Sequence, residues 1–174
     1  MADHFPGTIQ IGGPVPRALV PALNEVIAAA GVSLEWGGAL FTPETVDHLT
    51  GAVDPDTKLL HIYDEQALYG AFADLEEWLV KNSIAFDRQS DARYEFDGLA
   101  ASFRSGTGEV EHTATQNGDP TVRLAELERI REFLRAALAE RSPEKVRGAL
   151  AALDEVMGPE IPPLEPFVIT NGAP

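Results

Sequence analysis

The pair Asp97-Gly98, set between two alternating runs in FDRQSDARYEFDGLAASFR, constrains the fold more than any other feature of this chain. A two-residue type I′ turn needs φ > 0 at both central positions, and Asp-Gly meets that demand with little strain. Such a turn fixes a register. Phe96 then faces Leu99, Tyr94 faces Ala101 and Ala92 faces Phe103, all on one apolar side of the ribbon because side chains alternate with period two. The other side presents Glu95 against Ala100, Arg93 against Ser102 and Asp91 against Arg104, the last an expected cross-strand ion pair. The hairpin displays residues 91–104 in a defined way and holds no catalytic signature.

Two further stretches share a strand, helix, strand rhythm. In the first, Thr8 to Ile11 alternates, Gly12-Gly13-Pro14 interrupts, Leu19, Leu23, Ile27 and Ala30 follow at helical spacing, and Val32 to Trp36 alternates again after Gly31. In the second, Lys58 to Tyr63 reads as a buried strand, Leu68, Phe72, Leu75 and Leu79 as a helix stripe, and Ser83 to Phe86 as a closing strand. Two such units in tandem predict an α+β fold with a ferredoxin-like βαββαβ-type sheet, extended by the β-hairpin. The alternative is a small open sheet that the hairpin extends, with Glu109 to Thr115 as a further strand.

Between the units, Thr42 is placed to cap a short helix with Pro43 at its first position, and Asp54-Pro55-Asp56 reads as a turn. Further on, Asp119 is an expected N-cap with Pro120 behind it, and Val122, Leu127, Ile130, Leu134 and Leu138 form a stripe to about residue 140. Ser142-Pro143-Glu144 starts a second helix with Val146, Leu150, Leu153 and Met157 on one face, giving a C-terminal antiparallel helical hairpin. The expected organisation is an acidic sheet domain over 1–118, the helical hairpin over 119–158 packed on it, and a proline-rich tail over 159–174. In the tail, Leu164, Phe167, Val168 and Ile169 are placed to dock back on the domain.

Net charge is −15, and it is unevenly spread: residues 1–118 hold 6 basic and 18 acidic side chains, residues 119–174 hold 7 and 10. A surface of this sign repels duplex DNA and anionic lipid, whose affinity comes mainly from Lys and Arg, so no direct nucleic-acid binding is expected. What it suits is a protein partner with a basic surface. The most apolar stretch, Leu19 to Leu34, is broken by Pro21, Asn24 and Glu25, so no membrane span is expected, and MADHFPGT lacks the features of a secretory signal. The reading is cytoplasmic. With no cysteine, disulfides, thiolate zinc sites and thiol nucleophiles are all excluded.

Metal ligands would have to come from histidine and carboxylates, and His4, His48, His61 and His112 occur singly, with no HxH, HxxxH or HExxH spacing. The best grouping is His61 with Asp64 and Glu65 at a strand end, joined by Asp87 if the second unit's strands are adjacent; a structural histidine and a helix-capping Asp64 explain the same residues. Gly12-Gly13 lacks the remainder of a phosphate loop, and Pro14 and Pro16 remove amide donors that such a loop needs. No serine lies in a G-x-S-x-G elbow. Arg88, Arg93 and Arg104 interleave with acids 87, 91, 95 and 97, a face that neutralises itself.

The segments IQIGGPVPR, GVSLEWG, IYDEQALYGAFADLEEWL, IAFDRQSDARYEFDG and FRSG together resemble a group of uncharacterised small proteins of proteobacterial plasmids and integrated mobile elements, over roughly residues 8–106. The resemblance implies a genetic context and no activity. Accessory proteins of mobile elements often act by binding host machinery, including defence complexes whose nucleic-acid channels are basic, and the acidity here is compatible with that. The expectation is therefore a non-enzymatic acidic interaction module needing no cofactor, inhibiting a host nucleic-acid-handling or defence complex in the manner of an anti-CRISPR or DNA mimic. Its candidate surface is Asp91, Arg93, Glu95 and Arg104 with Asp74, Glu76 and Glu77. The alternative is a small-ligand or metal-dependent enzyme using His61, Asp64, Glu65 and Asp87. A third reading is homo-oligomeric structure through the C-terminal helical hairpin; the oligomeric state itself is left open.

Overall fold

The structure, a computed structural model, describes residues 3–92, 97–115 and 117–171. Its elements in chain order are β1 (His4–Gly12), β2 (Pro14–Pro16), α1 (Val20–Ala30), α2 (Val46–Gly51), β3 (Leu60–Leu68), α3 (Ala73–Lys81), β4 (Ala85–Ser90), β5 (Gly98–Arg104), β6 (Gly108–Ala114), α4 (Leu124–Ala139), α5 (Pro143–Met157) and β7 (Val168–Thr170). The chain divides into two compact units, one of residues 1–119 with 161–174, the other of residues 120–160. This is a mixed α+β fold with an antiparallel sheet and a C-terminal pair of helices that contact each other as a hairpin.

In the first unit five strands lie in the order β3-β1-β4-β5-β6, every neighbouring pair antiparallel. β3 and β4 therefore run parallel to each other with β1 between them, and α3 makes the crossover. Alternation puts Ile9, Ile11, Leu60, Ile62, Phe86 and Phe103 on one face, where they join Leu23 and Ile27 of α1 and Leu75 and Leu79 of α3 in one core. Each such side chain, fully withdrawn from water, contributes about 1.5–3 kcal/mol before entropy is counted. A tail strand completes the unit: β7 pairs in parallel with β2, and Phe167 is buried after its amide bonds the Lys58 carbonyl at 2.8 Å. Ile169 also packs on the core, whereas Val168 is half exposed.

Several local expectations are corrected. Asp97-Gly98 does not set a two-residue hairpin: Ser90 pairs with Leu99, Arg88 with Ala101 and Phe86 with Phe103, and Gly98 is a strand residue opposite Ala114. The reason is the partner strand. β4 is already held by β1, and Phe86 stacks on Phe103 with ring centroids 6.1 Å apart, so β5 joins that strand. Arg93, Tyr94, Glu95 and Phe96 lie outside the described residues. Val32–Trp36 supplies only single bridges from Ser33 to Tyr63 and to Leu40, because the chain turns away at Gly37 (φ +67). Leu68 ends β3, and the left-handed pair Tyr69 and Gly70 separates it from α3. Thr45, not Thr42, caps α2, accepting from the His48 amide at 3.2 Å. α4 starts at Leu124 after Arg123, so Asp119 and Val122 lie outside it.

Candidate functional site

Where the second strand of the first unit was expected, the chain makes a loop against the outer edge of β3. Ser33 and Tyr63 exchange both backbone hydrogen bonds at 2.9 Å, and the Phe41 amide returns to the Val32 carbonyl at 2.8 Å, closing residues 33–40 into a protrusion. Two bonds shape its tip. The Gly38 amide bonds the Glu35 carbonyl at 3.0 Å, and the Gly37 amide donates to Glu65 Oε1 at 2.6 Å, tying the loop to β3. Trp36 lies on Tyr63 with ring centroids 5.4 Å apart and planes tilted by 55°. It is nevertheless 50% exposed, and Leu34 and Leu40 beside it are exposed as well. Leu34, Leu40 and Phe41 line a shallow hollow of about 470 Å³ with Glu35, Gly38 and Ala39.

The surroundings are acidic. Glu35, Asp56 and Glu65 are exposed, Asp54 and Asp64 half-buried, and Lys58 is the only Lys or Arg between Arg17 and Lys81. Its ammonium is turned onto the Pro55 carbonyl of the same turn. In that turn Asp54 Oδ1 accepts from the Thr57 amide at 2.7 Å, the Thr57 hydroxyl at 3.0 Å and the Asp56 amide at 3.0 Å. These bonds, the Thr57 amide first, hold the Asp54 pKa below the ordinary aspartate value, so this charge persists into acid. The edge thus combines apolar side chains that water does not favour with carboxylates that a basic surface would neutralise.

The residues singled out from the sequence are scattered by comparison. Asp74 and Glu77 are exposed on α3, but Glu76 is buried: it accepts from the Phe72 amide at 2.6 Å and pairs with Arg88. Arg104 is buried too. Its guanidinium holds Asp87 at 2.9 and 3.0 Å and donates to the carbonyls of Phe86, Phe103 and Pro162, so its ion-pair partner is Asp87 in place of Asp91. Asp91 is half-buried, its amide on the Pro6 carbonyl at 3.1 Å.

His61 and Asp87 share a row across the sheet, yet Gln10 of β1 stands between them, which separates their backbones by about 9.6 Å at 4.8 Å per strand. His61 Nε2 lies 3.2 Å from the Thr57 hydroxyl, Asp64 accepts from the Gln66 amide at 2.8 Å, and Glu65 holds Gly37. Among the described residues no three His, Asp or Glu side chains are grouped to hold a metal ion, and no helix is long and apolar enough to cross a membrane.

What the sequence reading passed over is the loop itself. Leu34, Glu35 and Trp36 alternate as a strand would, and only the following Gly37-Gly38 signals the turn that leaves them outside the sheet. As a class, then, this is an α+β protein with an acidic, aromatic-bearing sheet edge. No family model, curated protein or solved structure matches the chain.

Proposed function

We propose that this chain is a non-enzymatic acidic interaction module whose β3 edge docks on a basic surface of a partner protein. The observation that carries the reading is the loop 34–41: Leu34, Trp36 and Leu40 stand exposed beside Glu35 and Glu65, in a stretch of sequence with a single lysine. Exposed aromatic and aliphatic anchors supply most of the energy of a typical protein interface, while the charged rim sets orientation and association rate. In its specific form the partner's surface normally holds nucleic acid, and the module occludes it, as an anti-CRISPR or DNA mimic of a mobile element does. Net charge of −15 and the resemblance to mobile-element proteins support that form.

The fold reading that goes with it is a ferredoxin-like βαββαβ plan with its second strand reduced to a bridge. Its support is that Ser33, following α1, meets β3 antiparallel on the edge away from β1, while α3 joins β3 to β4 around β1.

Affinity capture from a bacterial lysate, with and without added nuclease, followed by titration of the recovered partner tests the function. Capture is expected to be lost at high salt, Trp36→Ala to weaken binding by about tenfold or more, and Glu35→Lys with Asp56→Lys to slow association. Binding insensitive both to salt and to these substitutions removes the acidic edge from the reading. A partner whose binding short duplex DNA does not compete removes the occlusion form alone.

A further inference from the structure

The unit of residues 120–160 is a pair of antiparallel helices, and two helices can bury only the seam between them. Ile130 and Ala137 of α4 and Ala149 of α5 are its buried apolar residues. Turning 100° per residue from Ile130, the side chains of Leu127, Leu138 and Leu124 follow at about 60°, 80° and 120° to one side. From Ala149, Met157 and Leu150 follow at about 80° and 100° in the same sense. Because the helices are antiparallel, one rotational sense brings both sets to the same broad face of the hairpin. That face is open: exposures run from 38% at Leu127 to 69% at Leu124, with Leu138, Leu150 and Met157 between them.

Charge selects the occupant. The hairpin unit holds seven Lys or Arg against eight Asp or Glu, while the remainder of the chain holds six against twenty. Two copies approaching through the sheet unit would repel, and through the hairpin they meet near neutrality. Arg131 of α4, at about 100° from Ile130, stands within the face, and the rim carries both signs, with Arg135 beside Glu128 on α4 and Arg147 beside Asp154 on α5, which suits a surface that must complement itself about a twofold axis. Arg131 is only loosely engaged within the chain, at 3.9 Å from Glu128 and 3.8 Å from Glu132. We infer that this face is a homodimer contact in which the apolar sides of two hairpins meet as four packed helices.

Sedimentation equilibrium of the full chain, from about 1 to 200 μM, reads the association directly. The expected mass rises from 18.7 kDa to twice that value, and high salt does not dissociate the dimer. Leu138→Glu and Leu150→Glu each hold the mass at 18.7 kDa with unchanged far-ultraviolet circular dichroism, since both side chains are exposed in the single chain; Arg129→Ala, on the opposite side of α4, leaves the dimer intact. A monomer at every concentration overturns the inference, and so does a dimer that survives both glutamate variants. Should both variants lose helicity, cross-linking decides. The chain has no cysteine, so single cysteines placed in turn at Leu127, Leu138, Leu150 and Met157 are treated with a short bismaleimide; a covalent dimer from any of them supports the contact, and none from all four rejects it.

Discussion

Arg88 occupies a strand position whose neighbours across the sheet are Ile9 and Ala101, and there its guanidinium is buried between two carboxylates. Nε lies 3.3 Å from Glu76 Oε1 on α3 and Nη2 lies 2.9 Å from Glu111 Oε2 on β6, which it reaches across the small side chain of Ala101. Glu76 also takes the Phe72 amide, so one buried charge pair ties the start of α3 to the sheet. Arg88→Ala leaves that carboxylate buried without a counter-charge and is expected to cost about 3 kcal/mol or more in urea unfolding, nearly all of it through Glu76, since half-exposed Glu111 regains water. The double variant Glu76→Gln with Arg88→Met is expected to restore most of the loss; a cost below about 1 kcal/mol for Arg88→Ala would mean that the pair does not anchor the helix. The periodicity held this information. Position 76 lies four residues after Phe72 and three before Leu79, on the apolar side of α3, and position 88 alternates with Phe86. Hydropathy hid both, because a charged pair leaves no apolar mark. Asp54 offers a pH readout at the same scale. Its pKa is depressed in the folded chain, so the turn's contribution is complete above the ordinary aspartate value and is lost as pH falls through the lower folded value. In an NMR titration the Asp54 carboxyl carbon should change below the ordinary aspartate range, and Thr57→Ala should move it upward; a midpoint at the unfolded value would show the turn open.

At the level of elements, local signals succeeded where the chain was free to follow them. Ser142 caps α5 through the Lys145 amide at 3.3 Å with Pro143 behind it, as expected from the sequence. Asp97-Gly98 is a signal of the same kind that was outvoted by where longer-range packing put its neighbours, whereas Thr42-Pro43 and Asp119-Pro120 lost to local alternatives: Thr45 caps α2 in place of Thr42, and Asp119 closes a turn with Thr115, whose amide bonds its carbonyl at 2.9 Å. For the hairpin the competing term is the burial of Phe86 on Phe103, which draws β5 onto β4 with Ser90 opposite Leu99. Leu68 shows the same competition: its spacing to Phe72 fits a helix stripe, but its pairing with His4 keeps it in β3. Gly70 is the residue that makes the change from strand to helix sterically feasible. It has φ +68, and a Cβ there would lie 2.2 Å from the Ser90 Cβ. Gly13 also has positive φ, +81, with nothing within 4 Å of a Cβ, so the two glycines separate strain from collision. Gly13→Ala is expected to cost about 1–2 kcal/mol for the left-handed backbone alone. Gly70→Ala should cost about 2 kcal/mol more, because β4 must also give way. Equal losses in urea unfolding would show that the β3–α3 connection shifts freely off β4.

For the whole chain, the sheet unit holds nearly all of the net charge, and the charged edge and its exposed tryptophan belong to that same unit. The acidity was legible from a count; the clustering of Trp36, Leu34 and Leu40 with it was not, because it depends on a strand that failed to form. Such a concentration of carboxylates destabilises the body that carries it, since folding brings like charges together. Added salt relieves that repulsion by shortening the screening length from about 30 Å at 0.01 M to about 10 Å at 0.1 M. The near-neutral hairpin has no such term. Trp36 and Trp78 both lie in the sheet unit and the hairpin contains no tryptophan, so fluorescence follows one unit while circular dichroism at 222 nm includes the other. Between 0.01 and 0.5 M sodium chloride the fluorescence midpoint is expected to rise by several degrees, about what 1 kcal/mol produces in a domain of this size, with the hairpin component of the dichroism transition unmoved. A midpoint indifferent to salt would mean that the carboxylates are too dispersed to act together, which would also weaken the case for a basic partner. A common shift of both signals would mean that the units unfold as one. If the fluorescence midpoint alone moves, the repulsion that salt relieves is the same term that a basic partner relieves on docking, so at low salt the complex should melt well above the free chain and at high salt the difference should shrink.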